Sequence, residues 1–220
     1  MNKVLKMKII IFVMNPDKYY ERRKALTKLL ENTPFQFQFI SINDDLELTP
    51  EAIAKNHDSK KTIDSFGRDF SLGELASTLN HLYAYKKFLE SQNDIAIIME
   101  DDADFIVDEF TFVIKMITKI INEQKPQVYL LSPVISYLNN NSKNLNENYK
   151  VVEVVKSWDS SGYIINKEAA KKMINANYRA WFIADDWVRY KRHANVDVYS
   201  VIPTVIKQNL SLFDSNLMAS

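Results

Sequence analysis

Cysteine is absent from this 220-residue chain, which excludes disulfides and thiol chemistry and fits a reducing compartment. Glycine is nearly absent too. Gly67, Gly73 and Gly162 stand far apart, so no glycine-rich loop can cradle a phosphate. Net charge is also missing: 28 Lys and Arg balance 28 Asp and Glu. A nucleic-acid binder would carry a basic excess, so nucleic acid is not an expected partner. No apolar run reaches the roughly 20 residues that span a bilayer. The run Ile9-Ile10-Ile11-Phe12-Val13-Met14 follows lysines as a signal peptide would, but it is short and leads into Asn15-Pro16-Asp17 instead of a small-residue cleavage site. It reads as a first strand, and membrane contact is expected to be peripheral at most.

The composition, 46% hydrophobic and 25% charged, is that of a globular protein, and the length suits one domain with a sizeable core. The stretch that organises the chain follows Asn93-Asp94. Ile95-Ala96-Ile97-Ile98-Met99 reads as a strand buried on both faces, and Glu100, Asp101, Asp102 and Asp104 then arrive together. Like charge gathered at a strand end costs energy unless a cation or water offsets it, and ligands of open α/β sheets bind at the carboxyl ends of strands. A divalent cation carrying a phosphorylated ligand would supply the counter-charge. An acidic turn capping the next helix would use the same residues.

Around this strand, apolar period-two and helical patterns alternate, which predicts an α/β fold. Strands are expected at 8–14, 35–42, 127–131, 151–155, 161–165 and 196–202, and helices at 19–31, from Thr49-Pro50-Glu51, and at 108–122, capped by Asp108. Ser71-Leu72-Gly73-Glu74 is a capping box opening a helix to about Gln92. Leu72, Leu75, Ala76, Leu79, Leu82 and Tyr83 form its core stripe. Glu74, Ser77, Thr78, His81 and Tyr85 share a second, lysine-free face that would abut a polar site, although His81 also suits an ordinary surface or satisfied histidine. Residues 57–70 read as a loop. Six asparagines within 138–149 suggest a mobile loop able to close over a ligand. Arg22 and Arg23 stand where they could meet a base or phosphate, or form a solvated face. Asn43 could bond a ribose or simply close a turn. Asp185-Asp186 forms a second acidic pair near Trp181 and Trp187, and these tryptophans and Trp158 could face a sugar ring or belong to the core.

In order and spacing the chain resembles glycosyltransferase family 25, the lipooligosaccharide and lipopolysaccharide galactosyltransferases. The resemblance rests on Arg22-Arg23, on Ser71 to Glu74 leading to Asn80-His81-Leu82-Tyr83-Ala84-Tyr85, on Ile97 to Asp102, on Ser161-Gly162-Tyr163-Ile164-Ile165 with Ala169-Ala170, on Asp186, and on Val198 to Pro203 ahead of Gln208. Asn80 and Ala76-Ser77 depart from the family pattern, which has serine and a glycine-cysteine pair there. The resemblance implies a GT-A-type fold: a nucleotide-binding sheet flanked by helices (1–107) joined to an acceptor-binding half (108–220). It implies inverting transfer of a hexose, commonly galactose, from a UDP-sugar to a glycan hydroxyl, with a lipid-linked acceptor and a cytoplasmic, peripheral location at the inner membrane as expectations.

In that reading Asp102, with Asp104 as substitute, holds Mn²⁺ or Mg²⁺. Arg22, Arg23, Asn43, Glu74, His81, Glu100 and Asp101 contact the donor. Trp158, Asp159 and Trp187 contact the acceptor. Asp186, or its neighbour Asp185, is the general base, with Asp185 the expected helix cap. A nucleotide-sugar or carbohydrate-binding protein without turnover is the alternative. Phosphotransfer is disfavoured because neither a phosphate loop nor an obvious partner lysine is present.

Overall fold

The structure, a computed structural model, describes residues 7–16, 19–41 and 49–209. The first strand, β1 (Ile9–Met14), feeds α1 (Tyr20–Leu30), which returns to β2 (Gln36–Ile40). Next come α2 (Pro50–Asn56), α3 (Ser59–Phe66) and the long α4 (Leu72–Glu90), then the buried strand β3 (Ile95–Glu100). A two-residue β4 (Ala103–Asp104) leads to α5 (Val107–Ile117), β5 (Gln127–Leu130), β6 (Ser136–Asn144), β7 (Lys150–Lys156) and β8 (Gly162–Asn166). The chain ends through α6 (Lys167–Ala176), the single turn α7 (Trp187–Arg189) continuing as a π-helical turn Tyr190–Ala194, then β9 (Asp197–Ile202) and β10 (Lys207–Gln208).

Eight strands join in one sheet in the order β2-β1-β3-β8-β5-β9-β7-β6, and β4 pairs with β10 apart from it. The α/β architecture expected from the alternating patterns is therefore what the chain adopts. β1 is parallel to β2 and β3, whereas β8 is antiparallel to both β3 and β5. Apolar side chains fill both faces. Phe12, Ala96, Ile98 and Val128 pack with α4 and α6, and Ile11, Ile97, Met99 and Tyr129 pack with α1 and α5. Burial on both sides is why these strands read as continuous apolar runs.

Several expectations are corrected. The presumed loop 57–70 contains α3, capped by the Asp58 side chain on Lys61 N–H (3.2 Å) and ended by Gly67 at φ 72°. Its eight residues give too short a periodic signal to read, and its anchor is tertiary: Thr62 Oγ1 donates to the Trp181 carbonyl (3.2 Å). The asparagine-rich segment is largely a strand. β6, an edge strand, pairs antiparallel to β7 across register shifts, so part of its backbone is bonded while exposed side chains leave no apolar alternation. Asp108 lies in the first turn of α5 and Ile106 is the cap residue, with no side-chain capping bond. In α4, Leu72 is 66% exposed, whereas Thr78, His81 and Tyr85 are fully buried. That helix packs beside α6 on one face of the sheet, so Thr78, His81 and Tyr85 of the lysine-free face are core, while Ser77 stays exposed.

Candidate active site

Strand direction assembles the site. β3 runs out to Glu100, and β8 begins beside that end because Met99 pairs with Gly162. Asp159, Ser160 and Ser161 thus lie against the acidic turn, with Glu100 N–H donating to the Ser161 carbonyl (3.0 Å). The period of two that sends Ala96 and Ile98 toward α4 sends Glu100 there as well. Its Oε1 accepts a hydrogen bond from Ser160 Oγ (2.6 Å) and lies 3.5 Å from His81 Nε2. Burial works to raise the Glu100 carboxyl, yet His81 and the Ser160 hydroxyl leave it on balance below the ordinary glutamate value.

Asp101 turns the other way, toward α1. Its two oxygens accept from Asn15 Nδ2 (2.8 Å) and Arg22 NH1 (3.0 Å), and the Arg22 guanidinium also lies over the Tyr19 ring. Desolvation nevertheless leaves its carboxyl above the ordinary value, with Asn15 and Arg22 pulling the opposite way. Arg23 takes a different course, with its guanidinium over the Phe39 ring (4.6 Å). Asp102 is the anomalous member. Its Oδ1 is buried with no hydrogen-bond partner, and its carboxyl is pushed up to about 7 by burial first and by the Glu100 and Asp101 charges next. Asp102 and Asp104 line one small cavity with Arg22, Asp101 and Asn209. Among the described residues no three His, Cys, Asp or Glu side chains form a preformed metal cage. A cation held by one or two carboxylates plus substrate phosphates needs no such cage, and the partnerless oxygen of Asp102 fits that use.

The second acidic pair divides its labour opposite to expectation. Asp186 is 1% exposed and is the cap residue of α7. Its Oδ1 accepts from Arg189 N–H (2.9 Å) and its Oδ2 from the Arg189 guanidinium (2.5 Å). Asp185 does not cap. Burial raises its carboxyl to about 7, and the Glu100 charge is the next cause, followed among charges by Asp186 and Asp159. Asp186 is thus committed to the α7 cap and to Arg189, which leaves Asp185 as the member of the pair outside the cap. Sequence order alone had suggested the reverse, because the first aspartate of a pair is usually the better cap.

Other expected site residues are placed plainly. Glu74 completes the capping box, accepting from Ser71 N–H (2.8 Å) and from the Arg68 guanidinium (2.8 and 2.5 Å). The Arg68 bond is the main cause that lowers its carboxyl to about 2. In this structure it starts the helix. Trp187 is wholly buried, edge-on to Tyr163, and donates its indole N–H to the Asp159 carbonyl (2.8 Å). With no exposed ring face it packs as core and offers no face to a sugar in this structure. Trp181 is likewise core. Trp158 remains 41% exposed, with Lys156 Nζ 5.9 Å from its ring. Asp159 is half-buried and accepts from Ser161 N–H (2.8 Å). Asn43 lies outside the described residues. The sequence had not singled out Ser160, Asn15 or Arg189, whose polar side chains carried no motif signal.

The sequence model described as Glycosyltransferase family 25 (LPS biosynthesis protein) matches residues 8–188. The chain belongs to this family. The match includes both acidic clusters, Glu100 to Asp102 and Asp185-Asp186. Among solved structures, A197 from STIV is similar at 15% identity over 91% of this chain and 84% of that one, with a TM-score of 0.48. The inositol-1-phosphate CTP transferase from T. maritima shares 10% identity over 90% of each chain, with a TM-score of 0.46. The glycosyltransferase GlyE in Streptococcus pneumoniae TIGR4 shares 10% identity over 89% of this chain and 45% of that one, with a TM-score of 0.44. No curated protein matches the sequence. No helix among the described residues is long and apolar enough to cross a membrane.

Proposed function

We propose that this family 25 glycosyltransferase moves a hexose, galactose first among the candidates, from a UDP-sugar to a glycan hydroxyl in one inverting displacement. The observation that carries the proposal is the meeting of Glu100, Asp102, Asp159 and Asp185, from three distant segments, beside the carboxyl end of β3 in a chain of this family. Residues 1–107 serve the donor and 108–220 the acceptor.

On the donor side, Arg22 with Asp101 and Glu100 orient the nucleotide. Asp102, assisted by Asp104, would hold Mn²⁺ or Mg²⁺, which when bound offsets the charge of the departing diphosphate. On the acceptor side, Asp185 accepts the proton of the attacking hydroxyl. A carboxylate raised to about 7 is a stronger base than a surface aspartate and is still half ionised near neutrality, close to the optimum for general-base work. Trp158, with its exposed ring, and Asp159 border the acceptor. A lipid-linked glycan would bring the enzyme to the inner face of the membrane, where cytoplasmic UDP-sugars are available.

The test is a transfer and donor-hydrolysis screen over several UDP-sugars, with Mn²⁺, with Mg²⁺ and in chelator, using wild type, Asp185→Asn and Asp186→Asn. Metal-dependent turnover lost only in Asp185→Asn is expected. Donor binding without any turnover by the wild type would reduce the protein to a binding module.

A further inference from the structure

The loop between β7 and β8 links the two acidic clusters through hydrogen bonds whose direction is fixed by their atoms. Trp187, the residue after Asp186, donates its indole N–H to the Asp159 carbonyl (2.8 Å). An indole nitrogen can only donate and a carbonyl can only accept. Packing sets the aim of that N–H, because the Trp187 ring is 0% exposed and stands edge-on to Tyr163 at 4.9 Å between centroids. Asp159 passes the constraint on. Its Oδ1 accepts from Ser161 N–H (2.8 Å), and the Ser161 carbonyl accepts from Glu100 N–H (3.0 Å). Between them Ser160, 8% exposed, donates its hydroxyl to Glu100 Oε1 (2.6 Å).

The two ends of the loop are anchored elsewhere. Ser157 Oγ donates to the Pro133 carbonyl (3.2 Å), and Gly162 pairs with Met99. The middle of the loop runs between those anchors, and there the Trp187 side chain meets it from 28 positions along the chain. Its three residues face three ways. Trp158 leaves its ring 41% exposed, Asp159 gives its carbonyl to Trp187, and Ser160 turns inward to Glu100. A shift of this loop would therefore move the Trp158 ring and the Glu100 carboxylate together. A hydroxyl bonded to a carboxylate is a charge-assisted contact, stronger than a neutral pair and worth orienting with.

We infer that Trp187 and Ser160 are positioning residues: Trp187 holds the 157–161 loop in place through the Asp159 carbonyl, and Ser160 uses that placement to orient the Glu100 carboxylate for the donor. The turn that follows Asp185 thus also sets the loop that borders the acceptor, so base, acceptor wall and donor carboxylate share one geometry. The hold on the loop stands on the hydrogen bonds alone. Its effect on transfer rests on the glycosyltransferase reading above.

Amide hydrogen exchange read by mass spectrometry tests the hold without substrate. Trp187→Phe keeps an aromatic ring in the core and removes the donor, so the amides of 157–161 should exchange roughly threefold to tenfold faster, the scale of one lost hydrogen bond, while those of β8 stay as in wild type. Loop exchange at the wild-type rate, or equal acceleration in β8, overturns the hold. Should Trp187→Phe not fold, the wild type carries the test by NMR. Of the three tryptophan indole N–H signals, the one that Trp158→Phe and Trp181→Phe leave in place belongs to Trp187; slow exchange with water is expected, and rapid exchange overturns the hold. Steady-state kinetics test the coupling. Ser160→Ala should raise the KM for the UDP-sugar roughly tenfold, the scale of a bond to a charged group, and leave the acceptor KM and kcat unchanged. Trp187→Phe should raise both KM values, since it frees the whole loop. A purely structural Trp187 would lower the fraction of active enzyme and leave both KM values alone; that result, or an unchanged donor KM in Ser160→Ala, overturns the coupling. If wild type turns over no sugar, the functional proposal fails, while the exchange data still decide the hold.

Discussion

Asp185→Asn should make the protein more stable and less active at once. In the folded protein the Asp185 carboxyl is raised from 3.8 to about 7, by burial above all and then by the Glu100 charge. The folded state therefore binds a proton more tightly than the unfolded chain. Between about pH 4 and 7 wild-type stability falls as pH rises, because the folded protein must give up that proton while the unfolded chain has already lost it. Asparagine does not titrate and escapes the cost. At ~1.4 kcal/mol per tenfold, the rise sets a ceiling of about 4 kcal/mol. Solvent reaching a half-buried carboxylate reduces this to ~1–2 kcal/mol. For a chain of this size that is a gain of roughly 2–8 °C in Tm at pH 8. At pH 3, below both values, the two proteins should melt nearly together, since Asp185 is then largely protonated in both states of the wild type. Asp102 is raised similarly but is common to both proteins, so it cancels. Thermal unfolding at the two pH values gives the comparison, and transfer assays of the same samples should show a loss of roughly 10²-fold. The wild-type rate should climb with pH through about 7. A Tm difference equal at both pH values, or a variant less stable at pH 8, would refute the account of a strained, ionisable Asp185.

The neighbouring variants should behave differently. Asp186→Ala removes the cap of α7 and the partner of Arg189; a loss of ~2 kcal/mol or more is expected in denaturant unfolding, and a variant as stable as wild type would contradict the capping role. Asp102→Asn should weaken UDP-sugar binding in Mn²⁺ more than tenfold but change it little in chelator, as read by calorimetry; equal loss in both conditions would count against a metal role. Ser71→Ala should cost about 1 kcal/mol through loss of the capping box without altering the donor KM, and a rise in that KM would return Glu74 to the donor site. Gly162→Ala would drive a Cβ into the Ile206 side chain, which is itself buried. Strain of ~1–3 kcal/mol is expected, and a neutral variant would show that the 205–206 strap is free to move.

The amino-acid sequence by itself determined the α/β class, the strand that carries the acidic turn and the helix that faces it. These follow from short-range physics: the Ile-rich run of β3 is buried on both faces, and the box from Ser71 to Glu74 satisfies donors within one turn. Even the side of the sheet that receives Glu100 follows from the period of two. The tertiary structure decided what each polar group does, because that depends on partners far away in sequence. Asp102 and Asp101 are neighbours, yet only Asp101 meets Asn15 and Arg22. Asp185 and Asp186 cannot be ranked from order alone, and Arg189 settles which one caps. His81 carried no sign of Tyr85 and Tyr163 packed against it, and the asparagines of β6 no sign of the strand that pairs with them. A periodic pattern records which face is buried, but a hydrogen bond or a desolvated charge depends on where folding places its partner.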